Sequence, residues 1–194
     1  MAGRLAIATG SVEAAAVAQG KLLAIANSAR AEVDSVVTVY SRFAAATGDL
    51  GTSQEDLLRL TEAVSLSFRV AGASTSEASA SAIQLAQGLG SGALQGDELR
   101  SVLENNIPLA RAIAAEFGVN VGQLRALGKE GQLTADRVIP AIIASLGTFQ
   151  DQAAQIPETI GGALVVLRNE LTAFIGGLNS ATGVTSFVAE AIIF

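Results

Sequence analysis

The chain has 194 residues, half of them hydrophobic but only 4% aromatic, with 15% charged and a formal net charge of −6. It contains neither cysteine nor histidine, which excludes disulfides, thiolate chemistry, the usual zinc sites and Ser-His-Asp or Cys-His catalytic sets. The acidic balance argues against sequence-independent binding to a nucleic-acid backbone, and a mean hydropathy of +0.47 points to apolar surface meant for a partner or for more of the same chain.

Taken in order, residues 1–12 carry little beyond Gly10-Ser11, and the apolar run Leu5 to Ala8 is too short for a secretory signal. From about Ser11 to Thr47 apolar residues recur at spacings of three and four, among them Leu22, Ile25, Val33, Val36, Val37, Tyr40 and Phe43. This predicts one long helix, or two with a break near Asn27-Ser28. Gly48-Asp49-Leu50-Gly51 supplies turn chemistry.

Thr52-Ser53-Gln54-Glu55 fits a capping box, with Thr52 as the cap of a helix that buries Leu57, Leu58, Leu60, Val64, Phe68 and Val70. Ser74-Thr75-Ser76-Glu77 repeats the pattern and opens a helix carrying Gln84, Leu85, Gln87 and Leu89. Gly88, Gly90 and Gly92 each disfavour a helix interior by roughly 1 kcal/mol, so that helix is expected to end among them. Gly96, Asp97, Glu98 and Leu99 then open another, with negative charge where the first turn favours it. Pro108 suits the start of the next helix, Gly118 its end, and Asn120 with Gln123 a third capping box leading into Leu124. Gly131 ends that helix and Thr134 caps another, inside which Pro140 predicts a kink or a restart.

After Gly147 a polar stretch, Gln150 to Gln155, precedes Pro157 and a long helix capped by Thr159, with Leu164, Leu167, Leu171 and Phe174. Gly176-Gly177 and the run Asn179 to Gly183 are expected to break it, and a last helix to begin near Thr185. That helix stops at Phe194 in mid-pattern, which suggests a natural protein that continues; a short protein with a hydrophobic tail is the alternative. The fold class expected is all-α, a compact set of short capped helices flanked by longer amphipathic ones. The expected division is an N-terminal helical arm at 1–50, a compact core at 51–147 and C-terminal amphipathic helices at 148–194.

Three patterns invite a chemical reading. Gly88-x-Gly90-x-Gly92 resembles a phosphate-cradling loop, but such loops follow a strand and none is visible. Pro108 to Leu127 has the outline of a DNA-reading helix-turn-helix, yet its second helix offers only Gln123, Arg125 and Lys129, beside Glu130. Asp97 and Glu98 are neighbours that do not face one another on a helix, so capping and a solvated face account for them better than acid/base or metal chemistry. No catalytic residue, cofactor or metal is expected.

The run QLAQGLGSGALQGDELRSVLENN, with SFRVAGASTSEASASAI before it and IPLARAIAAEFGVNVGQLRALGKEGQLTADRVIPAI after it, resembles the N-terminal domain of tailed-phage tape measure proteins. The motifs that carry the resemblance are Gln84 to Gln87, Gly92 to Leu99, Leu109 to Ala114, Gly118 to Leu124, and Gly131 to Ala135, with Thr134 inside the last. They occur in the family's order over roughly Leu22 to Ser180.

The resemblance implies a structural protein of the tail, acting in tail-tube assembly and length determination, in the tail lumen after assembly in the host cytoplasm. The partners it implies are tail tube, tail tip and assembly chaperone proteins, with self-association. Even fully helical, a chain of this length would span only roughly 290 Å, so it would be a piece of a ruler. Two alternatives stand beside this reading: a membrane-active module built on Ile160 to Phe194, whose apolar run is interrupted by Arg168, Asn169 and Glu170, and a helix-turn-helix DNA binder.

Overall fold

The computed structural model describes residues 2–182, and they form an all-α body. Its first helices are α1 (Ala2–Thr9), α2 (Val12–Ala29) and α3 (Val33–Thr47), followed by a 3-10 turn at Gly48–Leu50. Then come α4 (Gln54–Ala71), α5 (Thr75–Gly90), α6 (Gly96–Asn105) and α7 (Ile107–Glu116). A 3-10 turn at Val121–Gln123 leads into α8 (Leu124–Lys129), and α9 (Ala135–Ala144), α10 (Leu146–Ala154) and α11 (Ile160–Thr182) complete the chain.

Helix α4 is the centre of the packing. It contacts α2, α3, α5, α7, α9 and α10, and its buried residues Leu57, Leu60, Thr61, Ala63, Val64, Leu66, Ser67 and Phe68 leave little of its circumference in water. A helix enclosed on that many sides must bury some polar side chains. Thr61 donates to the Leu57 carbonyl at 2.7 Å and Ser67 to that of Val64 at 2.8 Å, so both hydroxyls stay paired. Asn106, wholly buried, joins two helices through one amide: its Oδ1 accepts from the Leu109 N–H and caps α7, while its Nδ2 donates to Ser67 on α4 at 2.7 Å. Pro108 follows in the first turn of α7 as its missing N–H allows.

One hydrophobic cluster runs from Leu5 to Ala153. It crosses both positions at which the sequence divides the chain, after residue 50 and after residue 147. Helix α3 packs along α5 and α2 along α4, so residues 1–50 contribute to the core directly, and α10 lies against α4 through Phe149 and Ala153. The polar run Gln150 to Gln155 is therefore largely helix, with only Ala153 turned inward.

Several local expectations shift. The long N-terminal helix is two helices, parted at Arg30 to Glu32 rather than at Asn27-Ser28; Arg30 takes the left-handed conformation at φ 55°. The cap of α4 is Ser53, one residue later than Thr52. Ser53 Oγ accepts from the Asp56 N–H at 3.1 Å and donates to the Asp56 carboxylate at 2.8 Å, so the aspartate takes the place expected of Glu55. The box at Ser74 and Glu77 and that at Asn120 and Gln123 both form as expected. Thr134 precedes α9 in extended conformation but makes no side-chain cap. Pro140 neither kinks α9 into two elements nor restarts it: the interruption falls at Ser145. Pro140 and Asp136 both lie on the exposed face, so the carbonyl that loses its donor is open to water. Helix α11 continues through Gly176 and Gly177, since glycine weakens a helix without forbidding it. The helix expected near Thr185 lies outside the described residues.

Tyr40 is fully buried and its hydroxyl has no hydrogen-bond partner among the described residues. Tyr40→Phe is expected to leave stability unchanged or raise it by up to about 1 kcal/mol, and Asn106→Ala to lower it by about 2 kcal/mol, both read by urea denaturation. The Ser74 hydroxyl and backbone N–H hold the Glu77 carboxylate below its ordinary pKa. Its contribution is therefore complete above the unfolded-state value and disappears as pH falls through the folded one. The acid limb of the stability curve should flatten in Glu77→Gln, and an NMR titration should place Glu77 below an ordinary glutamate.

Candidate functional site

The glycine-rich stretch that follows α5 is a closed structural corner. Gly88 and Gly90 lie inside α5, at its C-terminal end, where the helix dipole is negative and repels phosphate. The chain then turns at Gly92, φ 93°, and its carbonyl accepts from the Ala135 N–H at 2.9 Å. Leu94 donates to the Leu133 carbonyl at 2.8 Å, and Ala93 forms an antiparallel bridge with Thr134. The loops before α6 and before α9 are thus sewn together.

Leu94 plugs this corner and is wholly buried. A Cβ on Gly88 would sit 2.8 Å from Leu94 Cδ1, and one on Gly128 would sit 2.5 Å from Leu99 Cδ2 and 3.4 Å from the Leu94 carbonyl. These glycines let the Leu94 and Leu99 side chains lie directly against the backbones of α5 and α8.

Of the residues singled out in the sequence, Gly92, Gly96, Leu99 and Thr134 meet at or beside this corner. Gly96 starts α6 at φ 54°, and Leu99 packs on Gly128. Glu98 lays its stem over Gly88, and Asp97 pairs with Arg100 at 3.3 Å on the surface. Gln84 is half-buried and Gln87 exposed along α5. Gly118, φ 64°, closes α7, Gly131, φ 67°, closes α8, and Leu124 is buried at the start of α8. No group of three or more Asp or Glu able to hold a metal occurs among the described residues.

The proposed DNA-reading helix is α8, six residues long, with Leu124 and Gly128 turned into the body. Its own cations, Arg125 and Lys129, are exposed, while Arg137 stacks 4.0 Å from the centre of the Phe117 ring and Arg100 lies between Asp97 and Glu104.

A second feature is chemically less ordinary. Helix α11 meets the body at the α2–α3 corner through polar groups. Asn169, 3% exposed, accepts from the Val33 N–H at 3.0 Å and donates to the Ala31 carbonyl at 2.9 Å and to Asn27 Oδ1 at 3.1 Å. On either side of it Arg168 donates to Glu32 at 2.9 Å and Glu170 accepts from Asn27 at 2.6 Å. Arg30 pairs with Glu158, and its stem covers Gly162 at 3.4 Å. Arg69 donates to the Ser28 carbonyl at the same corner. Burial, then the charge of Arg30, lower the Arg69 pKa, and Glu158 offsets this.

Val165 and Val166 are half-buried beside this anchor, and the other large apolar residues of α11 point away from it. Ile160 is 84% exposed, Leu164 59%, Leu167 63%, Leu171 55% and Phe174 64%. No helix among the described residues is long and apolar enough to cross a membrane. Asn169 appears in the sequence only as an interruption of an apolar run; the signal available was that the polar triplet and the leucines fall on opposite faces.

Leu94→Ala is expected to cost about 3 kcal/mol by chemical denaturation. Gly128→Ala should be close to neutral, because a helix-propensity gain of about 1 kcal/mol opposes the crowding of Leu99. Gly128→Val should lose about 2 kcal/mol, because crowding then wins.

Comparison with curated proteins and with solved structures gives no match. A family model described as tape measure protein matches residues 1–180, almost the whole described chain. The chain belongs to the tape measure protein family, structural proteins of phage tails.

Proposed function

We propose that this chain acts in assembly of the tail tube and in setting its length, as the folded helical body from which a tape measure extends. The observation that carries the reading is the family match over residues 1–180. The structure adds physical support: its recognisable glycine corner serves packing, and its one polar-anchored helix offers leucines to an outside partner.

In this reading the body forms in the host cytoplasm, engages tail tube, tail tip and chaperone proteins, associates with further copies of itself, and ends in the tail lumen. The C-terminal part acts separately from the body, beginning where α11 leaves the α2–α3 corner. The family-motif residues Gly92, Gly96, Leu99, Gly118, Leu124, Gly131 and Thr134 hold the body in shape, and Gln84, Gln87, Asp97 and Glu98 lie on or near its surface as contact candidates.

Helical residues inserted in frame after Thr182 should lengthen tails by about 1.5 Å per residue in electron micrographs of particles made with the altered gene. Tails of unchanged length would overturn the ruler reading, and normal tails from a strain lacking the gene would overturn the assembly reading.

A further inference from the structure

A cleft opens where the α2–α3 corner, the C-terminal half of α4 and the first turns of α5 meet. Its floor is apolar: Val36, Val39, Val64, Phe68 and Ala82 line it and are all buried. The half-buried Arg30, Ser35, Ser65, Arg69 and Ser79 line it too, and because they reach solvent they form its rim. The space amounts to about 80 Å³, several times the roughly 10–15 Å³ that one water needs, which is room for one small aliphatic side chain.

We propose that this cleft binds the C-terminal end of a partner polypeptide, with the last side chain, a valine or one of similar size, on the apolar floor and the terminal carboxylate between Arg30 and Arg69. The proposal stands on the cleft and goes beyond the tail reading.

Charge complementarity calls for an anion. Two guanidiniums stand at the rim against one carboxylate, the exposed Glu158, which pairs with Arg30; Glu32 at the same corner is taken by Arg168. Arg69 gives one donor to the Ser28 carbonyl and makes no ion pair among the described residues. The two arginines are close enough that, after the larger effect of burial, the charge of Arg30 lowers the Arg69 pKa, so an anion between them is attracted by both. An exposed ion pair such as that of Arg30 with Glu158 contributes little, and an incoming carboxylate can share Arg30 or displace Glu158. The planar forks of the arginines suit a carboxylate's two oxygens.

The floor and the serines decide what carries the carboxylate. A bare phosphate would leave the apolar floor in water, and a free short acid would leave the serines unused. The hydroxyls of Ser35, Ser65 and Ser79 make no hydrogen bond to another described residue. Each has lone pairs free to accept from a backbone N–H, which a chain end brings alongside its carboxylate and its last side chain.

The test follows the whole, isotopically labelled chain by NMR as the peptide acetyl-Ser-Gly-Ser-Val, with a free carboxylate, is added. Its Kd should lie below about 1 mM, with the backbone signals of Arg30, Ser65, Arg69 and Ser79 moving. The same peptide as its C-terminal amide should bind at least about tenfold more weakly, because a hydrogen-bonded charge is lost. Arg69→Gln should weaken the acid by a similar factor. Ala78→Leu, which fills the cleft from its half-buried edge and leaves both arginines in place, should abolish binding. The comparison of acid with amide is made on the unaltered chain, so it decides even where a variant fails to fold. Equal binding of the amide, of butyrate or of inorganic phosphate, signal changes confined to other surfaces, or no binding at about 1 mM would overturn the proposal. None of these readouts depends on tails, so this proposal and the tail reading fail separately.

Discussion

A buried amide must find its hydrogen bonds within the protein, and Asn169 finds them on three groups of one corner: Asn27, Ala31 and Val33. That requirement fixes the rotation of α11 about its own axis. Turning the helix by half would bury Leu167 and Leu171, but it would also strip Asn169 of its partners. It would part Arg168 from Glu32 and Glu170 from Asn27 as well. The apolar stripe faces outward because the polar one is anchored.

The anchor works only if the corner is rigid, and the core supplies that rigidity. Helices α2 and α3 meet at Arg30, held in the left-handed conformation and joined to Glu158, while Arg69 from α4 reaches the Ser28 carbonyl beside it. Helix α4 in turn is enclosed by α2, α3, α5, α7, α9 and α10. On another part of the body, the Leu94 corner ties the α5–α6 turn to the start of α9 through paired loops. The motif residues at that corner thus sit in packed loops, and the exposed apolar stripe lies on α11.

Much of the body is legible in the sequence because its helix ends are written in local chemistry. Ser74 with Glu77, Asn120 with Gln123, Pro108, and the glycines at 118 and 131 all mark boundaries that the structure respects. Two boundaries lack such marks: Arg30 turns left-handed without being a glycine, and Ser145 interrupts a helix that Pro140 leaves intact. The resemblance to the tape measure family is legible as an ordered series of motifs, and the family match agrees with it. What the sequence conceals is long-range. Gly128 takes its importance from Leu99 on another helix, and Asn169 from groups nearly 140 residues earlier. The leucines of α11 read as the stripe of an amphipathic helix, and periodicity shows that such a stripe exists and not which way it points.

The body explains how one chain can be folded around a closed core and still carry an exposed apolar line. Its core closes around α4, so the leucines of α11 are not needed for folding. Its anchor is polar, so they remain outside. The most direct measurement of this arrangement is a cysteine-reactivity scan along residues 160–175 in dilute solution. The account predicts fast thiol modification at 160, 164, 167, 171 and 174, with protection at 162, 166, 169 and 173. Protection of the leucine positions with fast reaction at 169 would contradict it.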